Sequence, residues 1–155
     1  MKKIMAAAVV LLAGASASFA GDSSFGKLSL FDEIAYPNVK TVNGVELGLI
    51  YSKTPQIRGL QWNFIYNKSE DLMGVQMAFV NSTDTAAGLQ DGVVNITRDM
   101  KGVQFGFVNY AEKFSGFQLA LVNYTVVMEK GLQIGLVNII KNSKLPVMVI
   151  VNARF

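Results

Sequence analysis

Carboxylates are the main side chains in this sequence that could act as general acids or bases or bind a hard metal ion. The chain has no His and no Cys, which excludes a Ser-His-Asp triad, a Cys nucleophile and thiolate or imidazole metal sites. The carboxylates lie mostly between hydrophobic segments, without the dense Asp/Asn/Gly spacing of a calcium loop. They are Asp32, Glu33, Glu70, Asp71, Asp84, Asp91, Asp99, Glu112 and Glu129. We therefore expect no catalytic residue, no cofactor and no metal site, and interpret most of these carboxylates as solvated turn residues.

Two other groups of side chains could carry a function. Four Asn residues match the N-glycosylation pattern, but a repeated sequence unit supplies most of these Asn residues and the following turns supply the Ser or Thr. These four are Asn67, Asn81, Asn95 and Asn123. The large aromatic residues are expected in a core or an interface rather than in a binding platform, and they include Trp62, Tyr51, Tyr66, Tyr110 and Tyr124.

The first twenty residues resemble an export signal. Lys2 and Lys3 precede an uncharged apolar stretch, and small residues at Ser18 and Ala20 indicate cleavage before Gly21. An N-terminal membrane anchor is the alternative. Removal of Lys2 and Lys3 would leave 12 of the 14 basic residues against 11 acidic ones. The mature chain is thus nearly neutral and lacks the basic, aromatic-interleaved patch of a nucleic-acid-binding protein.

The rest of the chain is dominated by a repeated unit of 14–15 residues. Gly131–Asn138 (GLQIGLVN) is the clearest copy, and related segments begin at Gly44, Gly59, Gly74, Gly88, Gly102 and Gly116, with a degenerate eighth copy at Leu145–Asn152. Such regularity must be recognised before any other fold assignment. We divide the chain into a signal peptide (1–20), an N-terminal cap strand and loop (21–43) and an eight-copy β-repeat domain (44–155).

Each unit alternates between two kinds of side chain, as a β-strand does. One set is apolar, and we expect a continuous stripe of Phe105, Phe107, Leu119, Leu121, Ile134 and Leu136. This stripe would be the dry interior of a solenoid or the lipid-facing side of a membrane barrel. The other set contains Gly, Gln and small residues, which would let neighbouring layers approach closely. Repeated Gln and Asn side chains could then form hydrogen-bonded ladders, because an amide both donates and accepts. The Asn ladder is expected to start at Asn81 and to include Asn152.

Two all-β architectures fit this pattern. In a β-solenoid each unit forms one coil, with Leu, Ile and Phe inside and Asn at the corner. In an antiparallel up-and-down β-barrel of about 8–10 strands, each unit forms one strand, and the alternating C-terminal segment ending at Phe155 resembles the last strand of outer-membrane barrels. Units of constant phase give almost none of the register shift that a closed barrel requires. This favours the solenoid.

The units also resemble a bacterial surface-repeat family of diderm envelopes, whose members carry tandem Gly-Leu-Gln-x-Gly-Leu-Val-Asn units behind a signal peptide. The resemblance covers residues 44–155. It implies an envelope or surface protein without known enzymatic activity, and no catalytic residues to transfer. We therefore expect an exported, non-enzymatic repeat protein of the periplasm, outer membrane or cell surface, with a structural or surface-interaction role. The outer membrane and other envelope proteins are candidate partners, nucleic acid is not, and a small barrel acting as a pore or anchor is the alternative.

Overall fold

The computed structural model describes residues 22–31 and 34–155, and every regular element in these segments is a β-strand. The predicted signal peptide, Gly21, Asp32 and Glu33 lie outside the described residues. The strands are β1 (Ser23–Phe31), β2 (Ile34–Tyr36), β3 (Thr41–Gly48), β4 (Tyr51–Lys53), β5 (Gln56–Asn63), β6 (Tyr66–Met77), β7 (Val80–Asp91), β8 (Val94–Phe105), β9 (Val108–Leu119), β10 (Val122–Ile140) and β11 (Val147–Arg154).

Neighbouring repeats pair in parallel and in register. From β3 through β5, β6, β7, β8 and β9 to β10, each strand lies beside the next copy. Identical repeat positions face each other, for example Gly88 with Gly102 and Gln90 with Gln104. Parallel pairing of consecutive units requires the chain to return to the same side after each one. The predicted β-solenoid is therefore confirmed, and the antiparallel barrel is wrong.

Antiparallel strands lie at both ends of the stack. At the N-terminal end, β1 pairs in parallel with β3 and antiparallel with the short β2. At the C-terminal end, β11 folds back antiparallel onto β10. The degenerate copy Leu145–Asn152 therefore does not form a further parallel coil, because the turn after Ile140 reverses the chain. Asn152 consequently lies opposite Gln133 instead of continuing the Asn row, which corrects the predicted ladder.

Each coil bends at two places. At one corner a single residue is left out of the backbone pairing between strands, Asp84 in β7 and its equivalent Arg98 in β8. The predicted turn residues Asp84, Asp99 and Glu112 thus lie at corners inside long strands, whereas residues 141–145 form a separate turn. The second corner contains the small residue of the repeat, such as Gly92, where a Cβ atom would lie 2.3 Å from the carbonyl oxygen of Ala78. The predicted close approach of neighbouring layers at the small residues is confirmed.

The interior of the solenoid is largely polar, and this reverses the predicted assignment of the two faces. Gln104 is completely buried, whereas Phe107 is 58% exposed and Leu136 is 63% exposed. Phe105 and Ile134 are only half-buried. In each coil one apolar side chain points fully inward in a row that continues from strand to strand: Val42, Ile57, Leu72, Ala86, Met100, Phe114 and Met128. Ala111 and Ile140 are buried as well.

The narrowness of the coil explains this arrangement. A 14-residue coil with two corners encloses room for only a few side chains, so most bulky Leu, Val and Phe side chains lie outside. Buried amides are tolerated because each one finds partners in the neighbouring coils, which removes the cost of an unsatisfied polar group. The interior is therefore held together by repeated hydrogen bonds in addition to a thin apolar row.

Candidate interaction surface

Glutamine side chains form a continuous ladder through the interior. The Nε2 of Gln104 donates to Oε1 of Gln90 at 2.8 Å, and its own Oε1 accepts from Nε2 of Gln118 at 2.7 Å. A neighbouring row of hydroxyl groups shares these amides, since Thr97 Oγ1 donates to Gln90 Oε1 at 2.5 Å. Ala111 interrupts the hydroxyl row. The predicted Gln ladder is confirmed, but it lies inside the molecule.

Asparagine side chains form a second ladder that runs in the opposite direction. Each Asn donates to the Asn of the following coil, as from Asn95 Nδ2 to Asn109 Oδ1 at 2.9 Å, whereas each Gln donates to the preceding coil. The Asn row starts one coil earlier than predicted, at Asn67, because one extra residue separates it from Gly59. Asn63, which breaks the small-residue pattern, donates to Asn67 Oδ1 and so supplies the first donor of this row.

A buried ion pair closes the N-terminal end of the Gln ladder. Glu46 occupies the Gln position of the first repeat, and its Oε2 accepts from Gln61 Nε2 at 3.4 Å. The Nζ of Lys27 lies 3.8 Å from Glu46 Oε1, and both side chains are at most 1% exposed. Lys27 also donates to Thr54 Oγ1 at 2.7 Å. A carboxylate is a strong terminal acceptor, and the ammonium group compensates its charge.

The apolar residues displaced from the interior form one exposed band around the small-residue corner, which we call the apolar edge. Its most exposed members are Leu49, Trp62, Phe64, Ile65, Phe79, Phe107, Val108, Leu119, Leu121 and Leu136. These residues recur along the stack from β3 to β10, except at the corner after β7, where Asp91 is followed by Gly92 and Val93. Seven parallel strands span six intervals, so the band is about 29 Å long at ~4.8 Å per interval. Contiguous exposed apolar patches of this kind mark interaction sites.

Two pairs of Tyr side chains stack between neighbouring coils. The rings of Tyr110 and Tyr124 stack with centroids 5.4 Å apart, and Tyr51 and Tyr66 stack at 5.2 Å. Both distances are close to the spacing of neighbouring strands. Tyr51 and Tyr66 lie in the row that contains Val108, whereas Tyr110 and Tyr124 lie in the row of Ile96, two positions further along each strand. The in-register pairing of the coils therefore positions two stacked pairs in separate rows on the outside of the solenoid.

Charged side chains are concentrated around the other corner, which we call the charged edge. Its members are Glu70, Asp71, Asp84, Arg98, Asp99, Lys101, Glu112 and Lys113. Arg98 and Asp84 form an exposed ion pair at 3.1 Å, of the kind that contributes little to stability. The solenoid is therefore amphipathic across its width, with one apolar side and one charged side.

A groove of about 560 Å³ opens on the apolar edge, and its lining includes Trp62, Phe64, Phe79, Phe107 and Asp91. Asp91 stands in a row where its in-register neighbours are Met77 and Phe105. Its side chain is exposed. The described part of the chain contains three ion pairs, and none of them involves Asp91. A single carboxylate thus faces solvent among aromatic side chains.

The carboxylates and the Asn residues of the glycosylation pattern do not come together in one site. Within the described segments, no three carboxylates come together in a group that could hold a metal ion. The side-chain amides of Asn67, Asn81, Asn95 and Asn123 are buried in the Asn ladder. Residues 22–31 and 34–155 include no helix that is long and apolar enough to cross a membrane. The apolar edge and its groove are therefore the candidate functional surface.

Comparison of the chain with protein-family models, curated proteins and solved structures gives no match.

Proposed function

We propose that this chain is an exported, non-enzymatic repeat protein of the bacterial cell envelope that binds a membrane surface through its apolar edge. The observation that carries the proposal is the placement of bulky apolar residues outside a polar interior, along the stack of parallel coils. Such residues are not required to close the coil. Their recurrence therefore indicates an interaction surface, and the solenoid acts as the scaffold that keeps this surface straight.

A lipid bilayer is the partner that best fits the two edges. The apolar edge provides a long, nearly uncharged strip with Trp, Tyr and Phe side chains, which favour the interface between headgroups and acyl chains. The charged edge, on the opposite side, would remain in water. The signal-peptide pattern at residues 1–20 and the resemblance to surface-repeat proteins support an envelope location.

Vesicle flotation tests membrane binding directly. We expect the purified protein to float with vesicles of bacterial phospholipids, and Phe107→Asp to reduce the floating fraction because a carboxylate would have to enter the interface. Ala87→Asp is the matched control, since Ala87 is exposed and in register with Lys101 beside the charged edge. Equal flotation of both variants, or binding only to envelope proteins, would contradict the proposal.

Export and the absence of catalysis are tested separately. Mass spectrometry of the exported protein should show Gly21 as the first residue, and retention of residues 1–20 would contradict cleavage at this site. Turnover by the purified protein that is lost on substitution of one carboxylate would identify an enzyme instead.

A further inference from the structure

We propose that the groove around Asp91 binds an organic cation, specifically a quaternary ammonium group or a similarly methylated amine. The inference deepens the proposed function by giving the apolar edge a specific ligand. It rests on that function only for the idea that this edge is a contact surface.

The position of the Asp91 carboxylate favours a cationic ligand. The row that contains Asp91 is otherwise apolar: Leu47, Trp62, Met77, Phe105, Leu119 and Ile134. A carboxylate contributes nothing to packing along such a row, and no ion pair within the described residues compensates it. A positive group that approaches from outside would provide that compensation.

The shape of the corner beside Asp91 fits such a cation. In the neighbouring row, Val93 lies between Phe79 and Phe107, one coil away on each side, and all three line the groove. Because Val93 is smaller than either Phe, the row has a notch at this coil. Two strand intervals separate the Phe positions by about 9.6 Å. A cation midway between the two Phe positions would lie about 5 Å from each of them, within the roughly 6 Å range of a cation–π contact.

The remaining residues that line the groove also suit an organic cation. Trp62 is 47% exposed and Phe64 is 70% exposed, so their rings are accessible to a ligand. Trp and Phe faces attract methylated ammonium groups, whose charge is spread over apolar methyl surface. A metal ion would instead require several oxygen ligands, whereas this groove offers one carboxylate. The lining therefore selects a soft organic cation.

Trp62 provides the assay, because it is the only Trp in the chain. Its fluorescence should change on titration with choline. The uncharged isostere 3,3-dimethyl-1-butanol, which replaces the nitrogen by carbon, should bind about tenfold more weakly, since it loses both the cation–π and the charge attraction. Asp91→Asn should weaken choline binding by about fivefold. Asp99→Asn, which removes the same charge from the charged edge, should leave it unchanged.

The source of the cation is tested in a second arm, with phosphatidylcholine and phosphatidylglycerol vesicles. Preference for phosphatidylcholine that disappears in Asp91→Asn would identify a lipid headgroup as the ligand, and binding of free choline alone would identify a soluble one. Equal affinity of Asp91→Asn and the unchanged protein, equal binding of choline and its isostere, or no binding in either arm would overturn the proposal. Flotation that persists in Asp91→Asn without choline binding would refute the cation site but leave the membrane-binding function intact.

Discussion

Exchanging a Gln and a Leu between the two faces gives the sharpest test of the polar interior. Gln104→Leu removes the two hydrogen bonds donated by Gln104, to Gln90 and Thr97, and the one it accepts from Gln118. The three lost hydrogen bonds cost ~1 kcal/mol each, and the Gln118 amide left buried without its acceptor costs ~1 kcal/mol more. Burial of the Leu side chain returns ~1–2 kcal/mol, which leaves a net loss of about 2–3 kcal/mol. The reciprocal change, Leu121→Gln, affects a side chain that is 47% exposed and should cost less than about 1 kcal/mol.

Urea unfolding followed by far-UV circular dichroism measures both effects. We expect the midpoint to fall clearly for Gln104→Leu and to change little for Leu121→Gln, with an unchanged spectrum for both folded proteins. The opposite order, in which Gln104→Leu is neutral and Leu121→Gln unfolds the chain, would show that the apolar face is the interior and would refute the reasoning.

Two further predictions concern the repeated glycines and the buried ion pair at the N-terminal end of the stack. Gly102 has a φ of 140°, and a Cβ there would lie 2.0 Å from the carbonyl oxygen of Gly88. Gly102→Ala should therefore reduce the free energy of unfolding by about 3 kcal/mol or more and lower the thermal midpoint strongly. Gly106→Ala should lower the midpoint less, because other coils have Ala at that position. Equal midpoints for the two variants would contradict this. Lys27→Met should destabilise the fold by about 3–5 kcal/mol by leaving the Glu46 carboxylate buried without its cation. Adding Glu46→Gln should restore most of the loss in the same melting assay, and no recovery in the double variant would argue against the ion pair as the cause.

The repeat phase predicted the solenoid because every copy has the same residue types at the same positions. A constant phase permits parallel stacking, and parallel stacking aligns like residues, so the Gln ladder and the close approach at Gly92 both follow from the sequence. The Asn row was misplaced at both ends: the one-residue insertion before Asn67 shifts the register at its start, and Asn152 lies opposite Gln133 instead of continuing the row. Antiparallel pairing of the last copy depends on the turn after Ile140, which the repeat pattern does not specify.

The inside of the coil was not predictable from alternation alone. A period of two separates two faces but does not say which one is buried, and the usual preference of apolar residues for the interior gave the wrong answer here. Asp91 was the available signal, because a fully buried row would not accept a lone carboxylate. The near-invariance of Gln from copy to copy, beside the mixture of Phe, Leu, Met and Asp at the alternate position, points the same way. The groove required the structure, because it depends on which coils place Phe79, Val93 and Phe107 side by side.

The opposed directions of the two amide ladders bear on how long such a protein can become. Each added coil contributes one Gln dipole toward one end and one Asn dipole toward the other, so the two contributions largely cancel. An α-helix, by contrast, aligns all its peptide dipoles and accumulates partial charge at its ends. Lengthening this solenoid by whole coils therefore builds up little end charge from its side-chain amides, and the same ion pair at Lys27 and Glu46 could terminate an array of any number of coils.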